Sequence, residues 1–231
     1  MADPFRVVRD FEAALCEYTG APYCVTTTSC TMALLLAVRW ALRNARYEVR
    51  YDQPGWEGHP FTIRPAVEIP KHTYVGVPMS ILHAGGRPTF RDEDWKGWYD
   101  LRPLNVIDSA RYLTSGLYNK TTINHLAVRV VCISFHWSKT LGIQQGGAIL
   151  HNDPKADLWL RMARFDGREA GVAPKDQAAW PVIGWHAYMS PETAAAGLVR
   201  LANLPKNNAP LPWGPGTDSD YPDLSQIDIF K

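Results

Sequence analysis

The chain has 231 residues, 46% hydrophobic and 20% charged, enough for one sizeable α/β domain or two small ones with a packed core. Its 24 basic and 23 acidic residues leave a formal net charge of +1, which gives no electrostatic case for nucleic acid or an anionic membrane surface as a partner. The four cysteines form no C-x-x-C pair and the seven histidines have no metal-ligand spacing, so the reading is of a reduced, cytoplasmic protein without a metal site.

The opening residues carry no apolar signal-peptide core, and no apolar run approaches a membrane-spanning length. Nine tryptophans and ten tyrosines are many for this length and hint at a binding surface.

Phe5, Val8, Phe11, Leu15 and Tyr18 recur at helical spacing, with Asp3-Pro4 as the start signal and Thr19-Gly20 as the stop. Residues 22–27 read as a short strand. Thr28-Ser29-Cys30-Thr31 then opens an apolar helix to about Arg43. Hydroxyls and free amides at a helix N-terminus can form an anion site, although the turn taken alone reads first as a plain Ser/Thr cap. Residues 44–65 are polar and read as a loop or insertion.

A short strand follows at 66–70, a helix within 73–86, and a strand at 87–92. Residues 93–103, acidic and rich in tryptophan, read as a surface segment. Leu104 to Asp108 is a strand ending in a carboxylate, where open α/β sheets bind ligands; Asp108 could equally start a turn.

The β-branched run Val128 to Ile133 predicts a buried strand that delivers Ser134-Phe135-His136-Trp137-Ser138-Lys139, followed by a glycine-rich turn and a strand at 148–151. A lysine just beyond a buried strand and hemmed by aromatics suits Schiff-base chemistry, while an ordinary solvated loop lysine would have the same spelling. Asn152-Asp153-Pro154 caps a helix to about Arg164, residues 165–183 are loop-like, and Ser190-Pro191 starts a last helix to about 203. Residues 205–231 carry five prolines and read as an extended or partly disordered tail on a body of residues 1–204. Strand–helix alternation makes the fold class α/β, with a mostly parallel or mixed sheet.

Taken in order, these segments resemble the DegT/StrS sugar-aminotransferase family of fold-type-I pyridoxal-phosphate enzymes. The resemblance runs over most of residues 8–204. It is carried by the Ser29-Cys30-Thr31 turn, Tyr74 in the next strand–helix unit, Val106-Ile107-Asp108-Ser109-Ala110, Ser134 to Lys139 with Gly146-Gly147, Arg161 to Gly167, and Tyr188 to Leu201. It implies a three-layer large domain like that of aspartate aminotransferase, in a shortened member lacking most of the C-terminal small domain.

The resemblance also implies roles. Lys139 would hold pyridoxal 5′-phosphate as a Schiff base and shuttle the substrate proton. Asp108 would pair with the pyridine nitrogen, Tyr74 would stack on the ring, and Ser134 with the Ser29-Cys30-Thr31 turn would bind the phosphate. His186 stands where the family has an asparagine that reaches the neighbouring subunit's phosphate, which implies a homodimer with shared sites.

Arg111 departs from the family, which usually has Gln or His there against the cofactor's hydroxyl. The stretch from Asp92 to Val106 also omits a strand–helix unit. The implied function is transfer of an amino group from glutamate or glutamine to a nucleotide-linked keto-sugar. The alternatives are another pyridoxal-phosphate reaction, such as decarboxylation or elimination, and a non-catalytic relative kept for dimerisation or partner binding.

Overall fold

A computed structural model describes residues 3–43, 48–50, 61–121, 129–213 and 220–231. Its elements in chain order are α1 (Arg6–Thr19), β1 (Tyr23–Thr27), α2 (Cys30–Ala41), β2 (Glu48–Arg50), β3 (Phe61–Ile63), β4 (Ala66–Pro70), α3 (Gly76–His83), β5 (Arg87–Arg91), β6 (Tyr99–Leu101) and β7 (Val106–Asp108). Then come α4 (Leu117–Lys120), β8 (Val130–Ser134), β9 (Gly147–His151), α5 (Pro154–Ala163) and α6 (Pro191–Ala202).

Five strands form the main sheet in the order β1-β9-β8-β7-β6. Only β7 and β8 run parallel within it; the β1–β9, β8–β9 and β6–β7 pairings are antiparallel. The sheet is therefore mixed, with less parallel character than strand–helix alternation suggests. Connection length explains the difference. Parallel neighbours need a crossover of about a dozen residues or more, whereas antiparallel neighbours can be joined by a tight link. The short link from Leu101 to Val106 imposes the antiparallel solution on β6 and β7. A separate parallel pair, β4–β5, abuts β6 through backbone hydrogen bonds between Glu68 and Arg102 in both directions. β2 and β3 pair antiparallel inside the stretch read as a polar loop, of which residues 44–47 and 51–60 lie outside the described residues.

The sheet divides two apolar layers, and the period of two along each strand decides which side chain enters which. Val130, Cys132 and Ile149 face the layer of α2, α3 and α5, with Leu34, Leu36, Ile81 and Leu160. Val131, Ile133, Ala148 and Leu150 face the layer of α1, α4 and α6, with Phe11, Leu15, Leu117 and Leu201. β8 and β9 are buried along their whole length, as the β-branched run predicts.

A charged clamp ties α1, β1 and α5 together. Buried Glu12 receives Arg161 Nη1 at 2.7 Å, Arg164 Nη1, and the Thr26 N–H and hydroxyl at 2.9 and 2.8 Å.

The residues read as a surface segment are the main departure. Tyr99 and Leu101 are buried, and the three-residue strand they belong to closes the sheet beside Asp108. Residues 205–213 and 220–231 run along the body. Tyr18 Oη donates to Pro205 O at 2.6 Å, Trp213 stacks on Trp95 at 5.0 Å, and Leu224 and Phe230 are buried.

Candidate active site

The chemistry-bearing residues gather at one edge of the main sheet, around a cavity of about 600 Å³. The floor begins with α2. Ser29 caps it, accepting from Met32 N at 3.1 Å, which leaves the N–H groups of Cys30 and Thr31 without an intrahelical acceptor. The opening turn therefore points free donors and the positive end of the helix dipole outward. β9 starts directly against this turn: a Cβ on Gly147 would lie 2.4 Å from Cys30 N. Nothing larger than glycine fits there.

Asp108 sits at the end of β7, in register with Cys132 of β8 on one side and Tyr99 of β6 on the other. Its Oδ1 accepts from Ala110 N at 2.9 Å and its Oδ2 from Tyr99 Oη at 2.8 Å. Burial pushes its pKa above the usual carboxylate value, against the pull of those two donors and of Lys139. Lys139 lies just past β8, its backbone N–H on His136 O at 2.8 Å. Its pKa is lowered, first by burial and then by the Arg111 charge, with Asp108 and Cys30 opposing. Among the described residues its ammonium makes no hydrogen bond. The cavity thus holds a lysine pushed toward its nucleophilic, neutral form beside a buried carboxyl group.

Ser134, buried at the end of β8, and Tyr74, just before α3, complete the lining with Arg111. Tyr74 is 55% exposed and stands at the mouth. A Cβ on Gly76 would lie 2.7 Å from the Tyr74 ring and 3.1 Å from Thr31 Oγ1, so a glycine lets ring and helix turn approach each other. Arg111 is buried, and its guanidinium donates to the carbonyls of Leu211 and Pro212 in the tail. Burial pushes the Cys30 thiol well up, so it lines the cavity as a neutral group.

Eight of the nine residues singled out from the sequence line this one cavity: Ser29, Cys30, Thr31, Tyr74, Asp108, Arg111, Ser134 and Lys139. His186 does not. It is exposed, bonded to Asp166 at 3.0 Å, and outside the lining of this chain's own cavity. Sequence reasoning missed Thr73, Trp95 and Tyr221 in the lining, and Tyr99 behind it. Alternation of buried Tyr99, half-buried Asp100 and buried Leu101 was a signal for a strand, though too short to stand out.

Two helix layers on a mixed sheet, with Lys139 and buried Asp108 beside the N-terminus of α2, are arranged as in the fold of a PLP-dependent aminotransferase from Bacillus cereus, which superposes with a TM-score of 0.59. The model of the DegT/DnrJ/EryC1/StrS aminotransferase family matches residues 5–106 and 106–210, and the chain belongs to that family. No curated protein matches the sequence. Among solved structures, the sugar aminotransferase CalS13 from Micromonospora echinospora superposes with a TM-score of 0.63 at 19% identity, over 86% of this chain and 61% of that one. NtdA from Bacillus subtilis, solved with bound PMP, gives 0.61 at 18% identity over 86% of this chain and 48% of its own. DesI, solved in the presence of its TDP-sugar product, gives 0.56 at 21% identity over 89% and 54%. The chain therefore spans between 48% and 61% of the length of these relatives.

Proposed function

We propose that this chain binds pyridoxal 5′-phosphate and works as an aminotransferase, moving an amino group from glutamate or glutamine to a nucleotide-linked keto-sugar. The observation that carries the reading is the convergence of Lys139 and Asp108 on one cavity at the N-terminus of α2. The residues suit the group. An anionic phosphate matches the free amides of the α2 turn, a planar ring matches the Tyr74 face, and a ring nitrogen matches the buried Asp108 carboxyl group. When bound, the cofactor supplies an electron sink for the carbon that loses its proton.

Each residue then has its own task. Lys139 Nζ would hold the cofactor covalently, and once displaced by the donor's amine it would carry the proton from the donor's amine-bearing carbon to the cofactor's C4′, as amino transfer requires. Its lowered pKa raises the fraction of free amine at neutral pH. Asp108 would accept from the ring nitrogen. Cys30 and Thr31 would hold the phosphate through backbone N–H groups, with Ser134 adding a hydroxyl and Ser29 fixing the turn. Arg111, positive and beside Lys139, would meet an anionic group of the substrate.

The nucleotide-sugar acceptor rests on the family and on the DesI structure with its TDP-sugar product. A homodimer fits the exposed aromatics here, Tyr74 at the mouth and Trp137 packed on the lining residue His136, 55% and 71% exposed, with a second copy bringing His186 across.

The test is reconstitution. Protein incubated with pyridoxal phosphate and reduced with borohydride should carry the phosphopyridoxyl mass on the peptide holding Lys139. A Lys139→Ala variant that kept the visible absorbance band unchanged would overturn the assignment. Release of 2-oxoglutarate from glutamate in the presence of a keto-sugar nucleotide separates transamination from decarboxylation or elimination.

A further inference from the structure

The short strand β6 brings Tyr99 directly opposite Asp108 in the antiparallel ladder, so the two side chains share one face of the sheet. Tyr99 is 2% exposed and Asp108 5%. The phenol has a single proton, and it goes to Asp108 Oδ2 at 2.8 Å. The hydroxyl of Thr73, buried and 2.7 Å from Tyr99 Oη, must therefore be the donor in that second bond. The result is a directed chain, Thr73 to Tyr99 to Asp108, in which each bond polarises the next. Trp95 packs edge-on against Tyr99 at 4.8 Å and is tied down through its Nε1 to His72 O at 2.9 Å, so the phenol has no room to swing aside.

We infer that Tyr99, driven by Thr73, is a positioning residue that keeps the proton shared between Asp108 and the cofactor's ring nitrogen on the ring. The inference rests on the proposed pairing of Asp108 with that nitrogen. A buried carboxylate competes for such a proton in proportion to its basicity, and burial alone makes Asp108 more basic than a solvated aspartate. The Ala110 N–H occupies one carboxylate oxygen. Tyr99 occupies the other and weakens it further as a base. The remaining titratable groups facing Asp108 are Cys132 from β8, Cys30 from α2 and Lys139 from the loop after β8. Both thiols are held neutral by burial, and Lys139 is committed to the cofactor, which leaves Tyr99 as the donor free to set the carboxylate's basicity. Tyr99 itself stays protonated, because burial first and the Asp108 charge next push its pKa well up.

The experiment loads full-length protein with pyridoxal phosphate labelled with ¹⁵N in the ring and records the nitrogen resonance in four proteins: parent, Asp108→Asn, Tyr99→Phe and Thr73→Val. In the parent the resonance should lie at the protonated position, and in Asp108→Asn at the unprotonated one. Tyr99→Phe should move it partway, with about a tenfold change in proton partition, the scale set by one hydrogen bond to a charged group. Thr73→Val should move it in the same direction by less. A purely structural role for Tyr99 would change melting temperature without moving the resonance. Thr73→Val leaves the phenol ring untouched, so the direction remains readable if Tyr99→Phe folds poorly. If Asp108→Asn shifts the resonance while Tyr99→Phe and Thr73→Val leave it at the parent position, the inference about Tyr99 is wrong and the Asp108 pairing stands. If Asp108→Asn also leaves it in place, the pairing itself fails, and the inference with it.

Discussion

Replacing Gly147 by alanine adds one methyl group, and the structure says where it goes. An ideal Cβ would stand 2.4 Å from Cys30 N, 2.6 Å from Ser29 C and 2.7 Å from Cys30 Cα. All three obstacles are backbone atoms of the α2 cap, so no side chain can rotate out of the way. Bringing the nearest of them to 3.0 Å, the shortest separation real Cβ atoms show, moves the cap or β9 by about 0.6 Å. β9 is held between β1 and β8 by two full ladders, so the cap is the part that yields. Overpacking of this kind costs about 1–3 kcal/mol of stability. The functional cost is larger, because the displaced amides are the ones proposed to hold the phosphate, and a shift approaching 1 Å in a positioned group can cost on the order of 100-fold. Gly147→Ala should therefore melt several degrees below the parent and bind pyridoxal phosphate at least about tenfold more weakly, read by titration of the visible band. Unchanged affinity, within a factor of about two, together with a lowered melting point would show that the α2 turn does not hold the phosphate.

The other expectations concern the body and the tail. Glu12→Gln removes a buried charge while leaving Arg161 and Arg164 in place, and breaking such a pair costs about 3–5 kcal/mol in urea unfolding at neutral pH. Burial pushes Glu12 up, but Arg164 and Arg161 outweigh it and hold the pKa below its ordinary 4.5. The clamp's contribution is therefore complete above that value and is lost as the pH falls through the lower folded one, so the variant's acid limb should be flatter than the parent's. An equal acid limb in both proteins would rule out the clamp as its source. Leu224→Ala empties a fully buried anchor of the tail at a cost of about 2–5 kcal/mol, capped by the energy of simply releasing the tail. Release should speed trypsin cleavage after exposed Lys206, and an unchanged cleavage rate would mean that Leu224 does not hold the tail down.

What the sequence made legible was local. The run up to Ile133, the strand ending at Asp108 and the Ser29 cap each announce themselves within about ten residues, because a buried strand or a helix start is specified by neighbours along the chain. Lys139, Asp108 and the α2 turn were therefore found as separate candidates, and the family resemblance joined them. The tail was harder. Leu224 and Phe230 lie in a short apolar-and-polar run too brief to announce an element, and their burial depends on partners such as Phe90, whose ring lies 6.0 Å from that of Phe230. Lys71 likewise binds Asp223 at 3.7 Å across most of the chain's length.

Strand direction explains the rest of the site. In a wholly parallel sheet, one edge collects only strand ends, and a reader would look for function only after each apolar run. Here β7 and β8 do end at the cavity, with Asp108 and Ser134, but their antiparallel neighbours begin there. Tyr99 opens β6 opposite Asp108, and Gly147 opens β9 opposite both Ser134 and Thr27. The residues at strand starts are thus as close to the chemistry as those at strand ends. Gly147 is marked in the sequence only as one of a glycine pair in the turn after Lys139. Tyr99 has no such mark, and only the register of a three-residue ladder puts its hydroxyl on the carboxylate. Moving that register by one residue would turn Tyr99 to the opposite face of the sheet and leave Asp108 Oδ2 without its donor.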